Sequence, residues 1–456
     1  MTRAVAHTGT TIALLLAVLG AATTEAGDRL SQRVWLLNGV PGETTLSALR
    51  ADGIDGLVLP VGDLAVASGA CRLTLAPLPD LKPMSGWSVT PLVWVSGQGD
   101  AKGNAETFAN ELAPVRRLLP GSTTLLLAAR VQWPGLVPFA AAVAERIKSP
   151  VELLVPAQSV RQLEIASLPR SLRLVVVALG NPLALGFPAS TLADDLAALA
   201  DIDAAGARYR VAVIICPRST PPPGPAGASL AAVALPTVAD YKPAERGDAF
   251  VLRRSLDWGG TLLAPHDTIQ VEVVDTARYH RDLGLILRGV RPTLEGWDTV
   301  GLPAGEPALG MSLEAFLDYL QGGRPFPTPQ VNAEWVTATR LRLALANPTP
   351  HASALASTGN WLELRFSGAR LLDLGLGDFS GADYGRFDTG TWRRAVAREA
   401  TAIRLFLTYV APASRMGGAT VTFLNRPSDV TARWVLRLGD GREVPGPAEP
   451  LPFRKP

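Results

Sequence analysis

The sequence is poor in the residues that build metal sites and disulfide frameworks. It has only two cysteines and four histidines among 456 residues, and His7 lies in a leader-like N-terminal segment. A structural zinc site made of Cys and His is therefore excluded. Cys71 and Cys216 could form a disulfide in an exported protein, or they could be two separate buried thiols.

The sequence also lacks an excess of charge and any phosphate-binding loop. Lys and Arg number 43 and Asp and Glu number 41, so the net charge is +2. So balanced a charge creates no strong field that would attract nucleic acid or anionic lipid. No Gly-rich loop follows any strand-like segment, which argues against a nucleotide-binding domain. We therefore predict no cofactor, no metal and no nucleic-acid partner.

Residues 1–26 have the three parts of a secretory signal peptide. Arg3 supplies a positive charge, Thr11–Ala22 is apolar, and Thr24-Glu25-Ala26 offers small residues at the cleavage positions. The apolar run has about 12 residues, and a membrane-spanning helix needs about 20. We therefore expect cleavage near Ala26 and a periplasmic or secreted mature protein without a transmembrane segment. An uncleaved N-terminal anchor is the alternative.

Eight short, almost entirely apolar segments alternate with helical patterns between Arg33 and Gly323. Strands that are apolar on both faces are typical of a parallel sheet covered by helices. The segments are residues 33–37, 56–61, 90–95, 123–131, 151–155, 172–178, 209–216 and 296–302. Eight such units predict an α/β fold with a (β/α)8-like barrel, possibly degenerate. An open doubly wound sheet is the alternative.

The chain beyond the leader is long enough for two domains. The predicted barrel covers residues 27–323, and a β-rich insertion that begins with a Pro-rich loop interrupts it at about residues 217–295. Residues 332–445 contain short alternating segments such as Trp361–Phe366, which predict an antiparallel β-sandwich. Residues 446–456 are a Pro-rich tail.

Candidate catalytic residues are scarce at the C-terminal ends of the predicted strands, where barrel enzymes place their active sites. Glycoside hydrolysis needs two carboxylates that face one bond. Asp63 and Asp298 are the candidates for such a pair. Asp63 could instead cap the following segment, and Asp298 could form a buried ion pair with an arginine.

Amides and an aromatic residue occupy other strand ends, at Gln132, Trp133 and Asn181. Such side chains suit sugar hydroxyls, which are recognised by hydrogen bonds and by stacking on aromatic faces. We therefore predict carbohydrate binding at these three residues. The alternative is a structural role, because amides at strand ends often bond to helix ends or loop backbone.

Two polar clusters have a simpler structural reading. Asp275, Tyr279, His280 and Asp282 lie close together in sequence, and a surface helix explains them better than a catalytic base does. The acidic, Gly-rich stretch Asp373–Asp388 matches no EF-hand loop, and turn formation explains its aspartates.

The chain resembles a group of secreted bacterial proteins of unknown function whose barrels are similar to those of glycoside hydrolases. The features shared are the export signal, the carboxylate-poor barrel pattern and the ending Gly296–Thr299 followed by Leu313–Gly322 (LEAFLDYLQG). The resemblance covers about Arg33–Gly323 and implies a glycoside-hydrolase-like barrel. Members of that group carry acidic residues near the end of the fourth strand, where this chain has Val131-Gln132-Trp133. The departure implies that hydrolase chemistry has been lost.

The sequence thus predicts an exported, non-catalytic or degenerate glycosidase-like protein that binds carbohydrate or another cell-envelope component. An active glycoside-hydrolase-like enzyme and a scaffold for protein–protein interaction are the two alternatives.

Overall fold

The computed structural model describes residues 30–37, 39–67, 70–97, 104–119, 121–129, 135–222, 235–243, 248–258, 260–288, 291–302 and 311–453. The leader-like residues 1–26 and the pair Gln132 and Trp133 lie outside these ranges. The chain folds into two units. The first consists of the residues up to Ile214 with Gly289–Leu302 and Leu320–Gly323, and the second of Ile215–Arg288, Pro303–Tyr319 and Arg324–Pro456. Most of the predicted insertion therefore groups with the C-terminal residues.

The first unit contains one nine-stranded sheet, with strands numbered along the chain. These are β1 Ser31–Trp35, β2 Gly56–Ala67, β3 Ala70–Leu75, β4 Ser88–Gly97, β5 Leu125–Ala129, β6 Val151–Pro156, β7 Leu172–Gly180, β8 Tyr209–Ile214 and β15 Leu294–Val300. The order is β1-β15-β8-β7-β6-β5-β4-β2-β3. Strand β1 pairs in parallel with both β15 and β2, so eight parallel strands close into a barrel. The predicted barrel is confirmed, and the open sheet is excluded.

The barrel strands are followed by helices at most of the predicted places. The helices are α1 Glu43–Ala51, α2 Ala105–Leu118, α3 Leu136–Ile147, α4 Ala157–Val160 and α5 Leu192–Ala205. Helix α5 shows why the sequence folds this way. Thr191 and Asp194 form a reciprocal capping box at its start, and left-handed Gly206 ends it. None of the described helices is both long and apolar enough to cross a membrane.

The second unit begins with a small antiparallel sheet from the predicted insertion. Its strands are β9 Arg218–Thr220, β10 Ala239–Pro243, β11 Asp248–Leu252 and β14 Thr268–Glu272, in the order β10-β11-β14-β9. A separate hairpin is formed by β12 Leu256–Trp258 and β13 Thr261–Leu263. The helices are α6 Leu235–Val238, α7 Thr276–Leu287 and α8 Leu313–Leu320. The Asp275–Asp282 cluster lies at the start of helix α7, so the predicted helix is present. It is not simply a surface helix, because Tyr279 and Asp282 are buried.

Two further antiparallel sheets form the predicted β-sandwich. The first has the order β16-β17-β23-β19, from β16 Gln330–Thr337, β17 Arg340–Asn347, β19 Leu371–Gly375 and β23 Ser414–Phe423. The second has the order β21-β20-β22-β18-β24-β25, with β26 also on β24, from β18 Asn360–Ser367, β20 Gly381–Asp388, β21 Thr391–Arg394, β22 Ala402–Leu407, β24 Asp429–Arg437, β25 Glu443–Pro445 and β26 Glu449–Pro450. Alternate residues of both sheets, such as Leu343, Val421, Leu364 and Leu405, share one apolar core. The sandwich prediction is confirmed.

Replacing Gly180 with alanine tests the tight end of β7. Gly180 has φ +67°, and a Cβ there would lie 2.3 Å from the backbone oxygen of Ile214. We expect Gly180→Ala to lower the free energy of unfolding by about 2–4 kcal/mol, from left-handed strain and overpacking together. Gly186→Ala is the control, because Gly186 has φ +81° with no atom within 4 Å. Equal losses in urea denaturation would show that the close approach contributes nothing.

Candidate functional site

The described residues predicted to bind or catalyse do not form one site in the barrel. Asp63 is exposed on the extension of β2, where its register partners are Trp94 of β4 and Thr74 of β3. Asp298, in contrast, is 0% exposed. An exposed carboxylate and a fully enclosed one do not line a common open cleft, as a pair acting on one glycosidic bond would need to.

Asn181 lies after the end of β7 and is also 0% exposed. Its backbone N–H donates to the Ile214 oxygen at 2.7 Å, and its backbone oxygen accepts from Ala184 at 3.0 Å. Just before it, Leu179 adopts a left-handed φ of 68° and donates its N–H to the buried Asp195 carboxylate at 2.9 Å. These contacts fix the backbone of the turn after β7. Asn181 is thus a buried part of that turn and does not lie at an open surface.

Asp298 accepts four hydrogen bonds inside the barrel. Arg33 donates from Nε to Oδ1 at 3.0 Å and from Nη2 to Oδ2 at 2.8 Å. Arg210 Nε reaches Oδ1 at 2.8 Å, and Trp35 Nε1 reaches Oδ2 at 2.9 Å. Arg33 also bonds Glu152 on β6, the strand opposite β1 in the ring of eight, at 3.0 Å. Four charged side chains thus meet inside the barrel, and we call them the barrel charge cluster (Arg33, Glu152, Arg210 and Asp298).

The charges of this cluster stabilise one another's ionised forms. Burial alone would raise the pKa of Asp298, but Arg33 and Arg210 lower it to about 2. Burial alone would lower the pKa of Arg33, yet Asp298 and Glu152 raise it above its usual value. Asp298 therefore stays ionised, and each of its hydrogen-bond partners is a donor. This state suits a buried ion pair. It does not suit a general acid, because the carboxylate has no proton to give to a substrate.

Both cysteines are free thiols in the structure, and each is half-buried rather than fully buried as the second alternative expected. Burial raises the pKa of Cys71, and it raises that of Cys216 to about 11. A thiol with a raised pKa is a poor nucleophile at neutral pH. Among the described residues, no three His, Cys, Asp or Glu side chains are grouped so that they could hold a metal ion.

A more distinctive arrangement covers the outer face of the second sandwich sheet. In β18 (NWLELRFS), alternate residues Leu362, Leu364 and Phe366 enter the core, so Trp361, Glu363 and Arg365 lie on the other face. Strands β22 and β24, the neighbours of β18, each add an arginine that pairs with its central residue. Pairing places Arg404 and Arg433 directly opposite Glu363, one on either side. We call the group Trp361, Glu363, Arg365, Trp392, Arg404 and Arg433 the arginine face.

Glu363 binds three guanidinium groups. Its Oε1 lies 2.7 Å from Arg365 Nη2 and 2.9 Å from Arg433 Nε, and its Oε2 lies 2.9 Å from Arg404 Nε. The Glu363 side chain is 0% exposed, whereas the three arginine side chains are 23–40% exposed. Burial would raise the pKa of Glu363, but the hydrogen bonds from the three arginines lower it. The carboxylate therefore stays ionised and organises the cations around it.

Aromatic rings fix the orientation of these guanidinium groups. Arg404 Cζ lies 4.3 Å from the centroid of Trp361 and 4.1 Å from that of Trp392, so the cation is held between two indoles. Trp392 can lie there because it covers Gly385, where a Cβ would come within 2.5 Å of the indole. Arg365 stacks in the same way on Phe387, at 3.5 Å.

The arginine face can bind anions because it has more cations than it needs internally. Three guanidinium groups share one carboxylate, which leaves a net charge of +2 (three minus one). Among the described residues, Arg404 and Arg433 hydrogen-bond only through Nε, so their Nη groups remain as donors. Sequence reasoning missed this site. The signal was present as outward charged and aromatic residues in strands whose inward residues are apolar.

No protein-family model and no curated protein matches the chain. Solved structures similar to it include the spore cortex-lytic enzyme SleL of Bacillus megaterium (10% identity, TM-score 0.37, covering 60% of this chain and 71% of that one) and the glycoside hydrolase family 30 subfamily 8 xylanase Xyn30A of Clostridium acetobutylicum (8% identity, TM-score 0.30, covering 86% of this chain and 95% of that one). Both TM-scores are low. The evidence for the barrel is therefore the pairing of the chain's own strands.

Replacing Asp298 with asparagine tests whether the barrel charge cluster is structural. The change leaves Arg33 and Arg210 buried with one fewer counter-charge, so we expect the free energy of unfolding to fall by about 3–5 kcal/mol. Asp63→Asn is the matched control at an exposed position, with an expected change within about 0.5 kcal/mol. Equal stability of Asp298→Asn and wild type in urea denaturation would contradict a structural role.

The same cluster predicts a dependence of stability on pH. The folded-state pKa of Asp298, about 2, is below its ordinary value of 3.8, so its contribution is complete above pH 4 and is lost as the pH falls toward 2. The stability difference between wild type and Asp298→Asn should therefore narrow by about 2 kcal/mol over that range. A difference that stays constant from pH 4 to pH 2 would show that the Asp298 pKa is not depressed.

Proposed function

We propose that this protein is an exported carbohydrate-binding protein that holds an acidic polysaccharide on the arginine face without hydrolysing it. The observation that carries the proposal is the excess of two positive charges around Glu363, on side chains that are partly exposed. Guanidinium groups bind carboxylates through paired N–H donors. The carboxylates of an acidic polysaccharide recur along its chain, so several of them can reach one such surface.

The rings of the arginine face favour this kind of ligand. The Arg404 guanidinium is already held by Trp361 and Trp392. Ligand binding therefore costs little further conformational entropy at this side chain. The half-exposed rings of Trp392 and Phe387 also offer apolar area to the C–H faces of sugar rings. A ligand that combines carboxylates with sugar rings uses both features.

Binding without hydrolysis is supported by the use made of Asp298. Arg33, Arg210 and Trp35 occupy both of its carboxylate oxygens inside the closed barrel. The other candidate, Asp63, lies exposed on the β2 extension. The pattern of residues 1–26 supports export, where polysaccharides of the envelope would be within reach.

The double variant Arg404→Gln/Arg433→Gln tests the proposal. We expect wild type to bind polygalacturonate, and the variant to bind it at least tenfold more weakly, because about 1.4 kcal/mol is lost when two charged donors are removed. Arg365 remains paired with Glu363, which keeps the buried carboxylate neutralised. Affinity is measured by isothermal titration calorimetry, and thermal unfolding confirms that both proteins are folded.

Arg342→Gln with Arg340→Gln is the matched control, because it removes the same charge from exposed positions on the other sandwich sheet. It should bind polygalacturonate as wild type does. Equal binding of uncharged dextran, or of double-stranded DNA, would contradict recognition of an acidic polysaccharide. New reducing ends in polygalacturonate or xylan would contradict the absence of hydrolysis and favour the glycosidase alternative.

A further inference from the structure

The second unit contains a cleft that the arginine face does not use. It has a volume of about 180 Å³ and is lined by residues of the inserted sheet, of helix α7 and of the sandwich loops. The polar groups that matter for binding are Tyr241, Asp248, Asp275, Arg278, Tyr409 and Arg437. Leu355 and Leu438 contribute apolar walls to the same cleft. A mixed polar and apolar lining of this kind is typical of sites for small molecules.

Tyr409 supplies the observation that points to a ligand. The residue is 6% exposed, and among the described residues nothing hydrogen-bonds its hydroxyl. Buried phenolic hydroxyls normally have a partner, because leaving one unpaired costs free energy. Burial and the nearby carboxylate of Asp275 raise the pKa of Tyr409, so the hydroxyl keeps its proton and remains a donor.

Two carboxylates that line the cleft, Asp248 and Asp275, are already held in place by hydrogen bonds within the protein. Asp248 accepts a hydrogen bond from the Tyr241 hydroxyl at 2.7 Å. Asp275 caps helix α7 through Arg278 N at 2.8 Å and accepts from Gly439 N at 2.8 Å, which ties the β24–β25 turn to the helix. A ligand would therefore meet a preformed wall and would lose less affinity to ordering.

The size and charge of the cleft limit the ligand. A cavity of about 150 Å³ holds one benzene ring, so about 180 Å³ holds one six-membered ring with small substituents. Three acidic residues (Asp248, Glu272 and Asp275) face two arginines (Arg278 and Arg437), so the lining carries no positive excess. An uncharged ring with several hydroxyl groups matches both donors and acceptors.

We infer that this cleft binds a single uncharged, hydroxylated ring of the size of one sugar unit, with the Tyr409 hydroxyl as a hydrogen-bond partner. The inference goes beyond the proposed function and does not depend on the arginine face. The ring could be a free monosaccharide or the terminal sugar of a glycan, since both present the same hydroxyl chemistry.

Titration of the full-length Arg404→Gln/Arg433→Gln variant, whose weakened arginine face no longer competes for the acidic sugar, with glucose, N-acetylglucosamine and galacturonate tests the inference. We expect at least one of the two uncharged sugars to bind, galacturonate to bind more weakly, and Tyr409→Phe to weaken the uncharged sugar about three- to tenfold. Binding of an uncharged sugar as an oligosaccharide but not as a monomer identifies the terminal sugar of a glycan as the source. If neither form of either uncharged sugar binds, or if galacturonate binds best, the inference is wrong.

Tyr409→Phe also has a readout that does not depend on the choice of sugar. Because the hydroxyl has no protein partner among the described residues, the variant should unfold at the same temperature as wild type or higher. Tyr209→Phe is the control, since its hydroxyl bonds Asp203 at 3.2 Å; it should unfold at a lower temperature and bind sugar normally. A lower unfolding temperature for Tyr409→Phe would overturn the unpartnered hydroxyl on which the site rests.

The two sites can fail separately. Arg404→Gln/Arg433→Gln should bind the uncharged sugar as wild type does, and Tyr409→Phe should bind polygalacturonate as wild type does. Loss of both ligands in either variant, with the fold intact, would overturn the independence of the cleft.

Discussion

Asp298 lies where the last barrel strand meets the first, and its two oxygens receive hydrogen bonds from Arg33, Arg210 and Trp35. The hydrogen bonds of this carboxylate and its cations therefore connect four barrel strands, β1, β6, β8 and β15. A charge in a dry interior is tolerated only when it is paired and hydrogen-bonded, and the four-member cluster meets that condition. The two arginines and two carboxylates thus balance inside the ring of strands that encloses them.

This use of the barrel interior bears on where function can reside. Barrel enzymes place catalytic side chains at the C-terminal strand ends. Here the Arg33, Glu152 and Arg210 members of the cluster lie within the first three residues of their strands. Two groups with unmatched hydrogen-bonding capacity lie in the second unit: the arginines around Glu363 and the Tyr409 hydroxyl. If these two groups bind the proposed ligands, stability and recognition fall largely to different parts of the chain.

The sequence allowed the barrel and sandwich to be predicted because each strand carries a local pattern. Continuous apolar runs such as Leu125–Ala129 identify buried parallel strands, and alternation in Trp361–Phe366 identifies a strand with one buried face. The partners of individual charges could not be predicted in this way. Arg33 and Asp298 are 265 residues apart, and the convergence of Arg404 and Arg433 on Glu363 depends on strand order and register. Local alternation shows which residues face outward, but it does not show which of them meet when distant strands pair.

The insertion between β8 and β15 affects the order in which the molecule can be completed. Seven of the eight barrel strands have emerged by Ile214, but the strand that closes the ring begins only at Leu294. Until then, β1 and β8 are open sheet edges, and Arg33 and Arg210 have no Asp298 beside them. Open edges are templates for pairing with other chains. A nascent chain that stops within the insertion would therefore expose two such edges, and the strand that begins at Leu294 covers both.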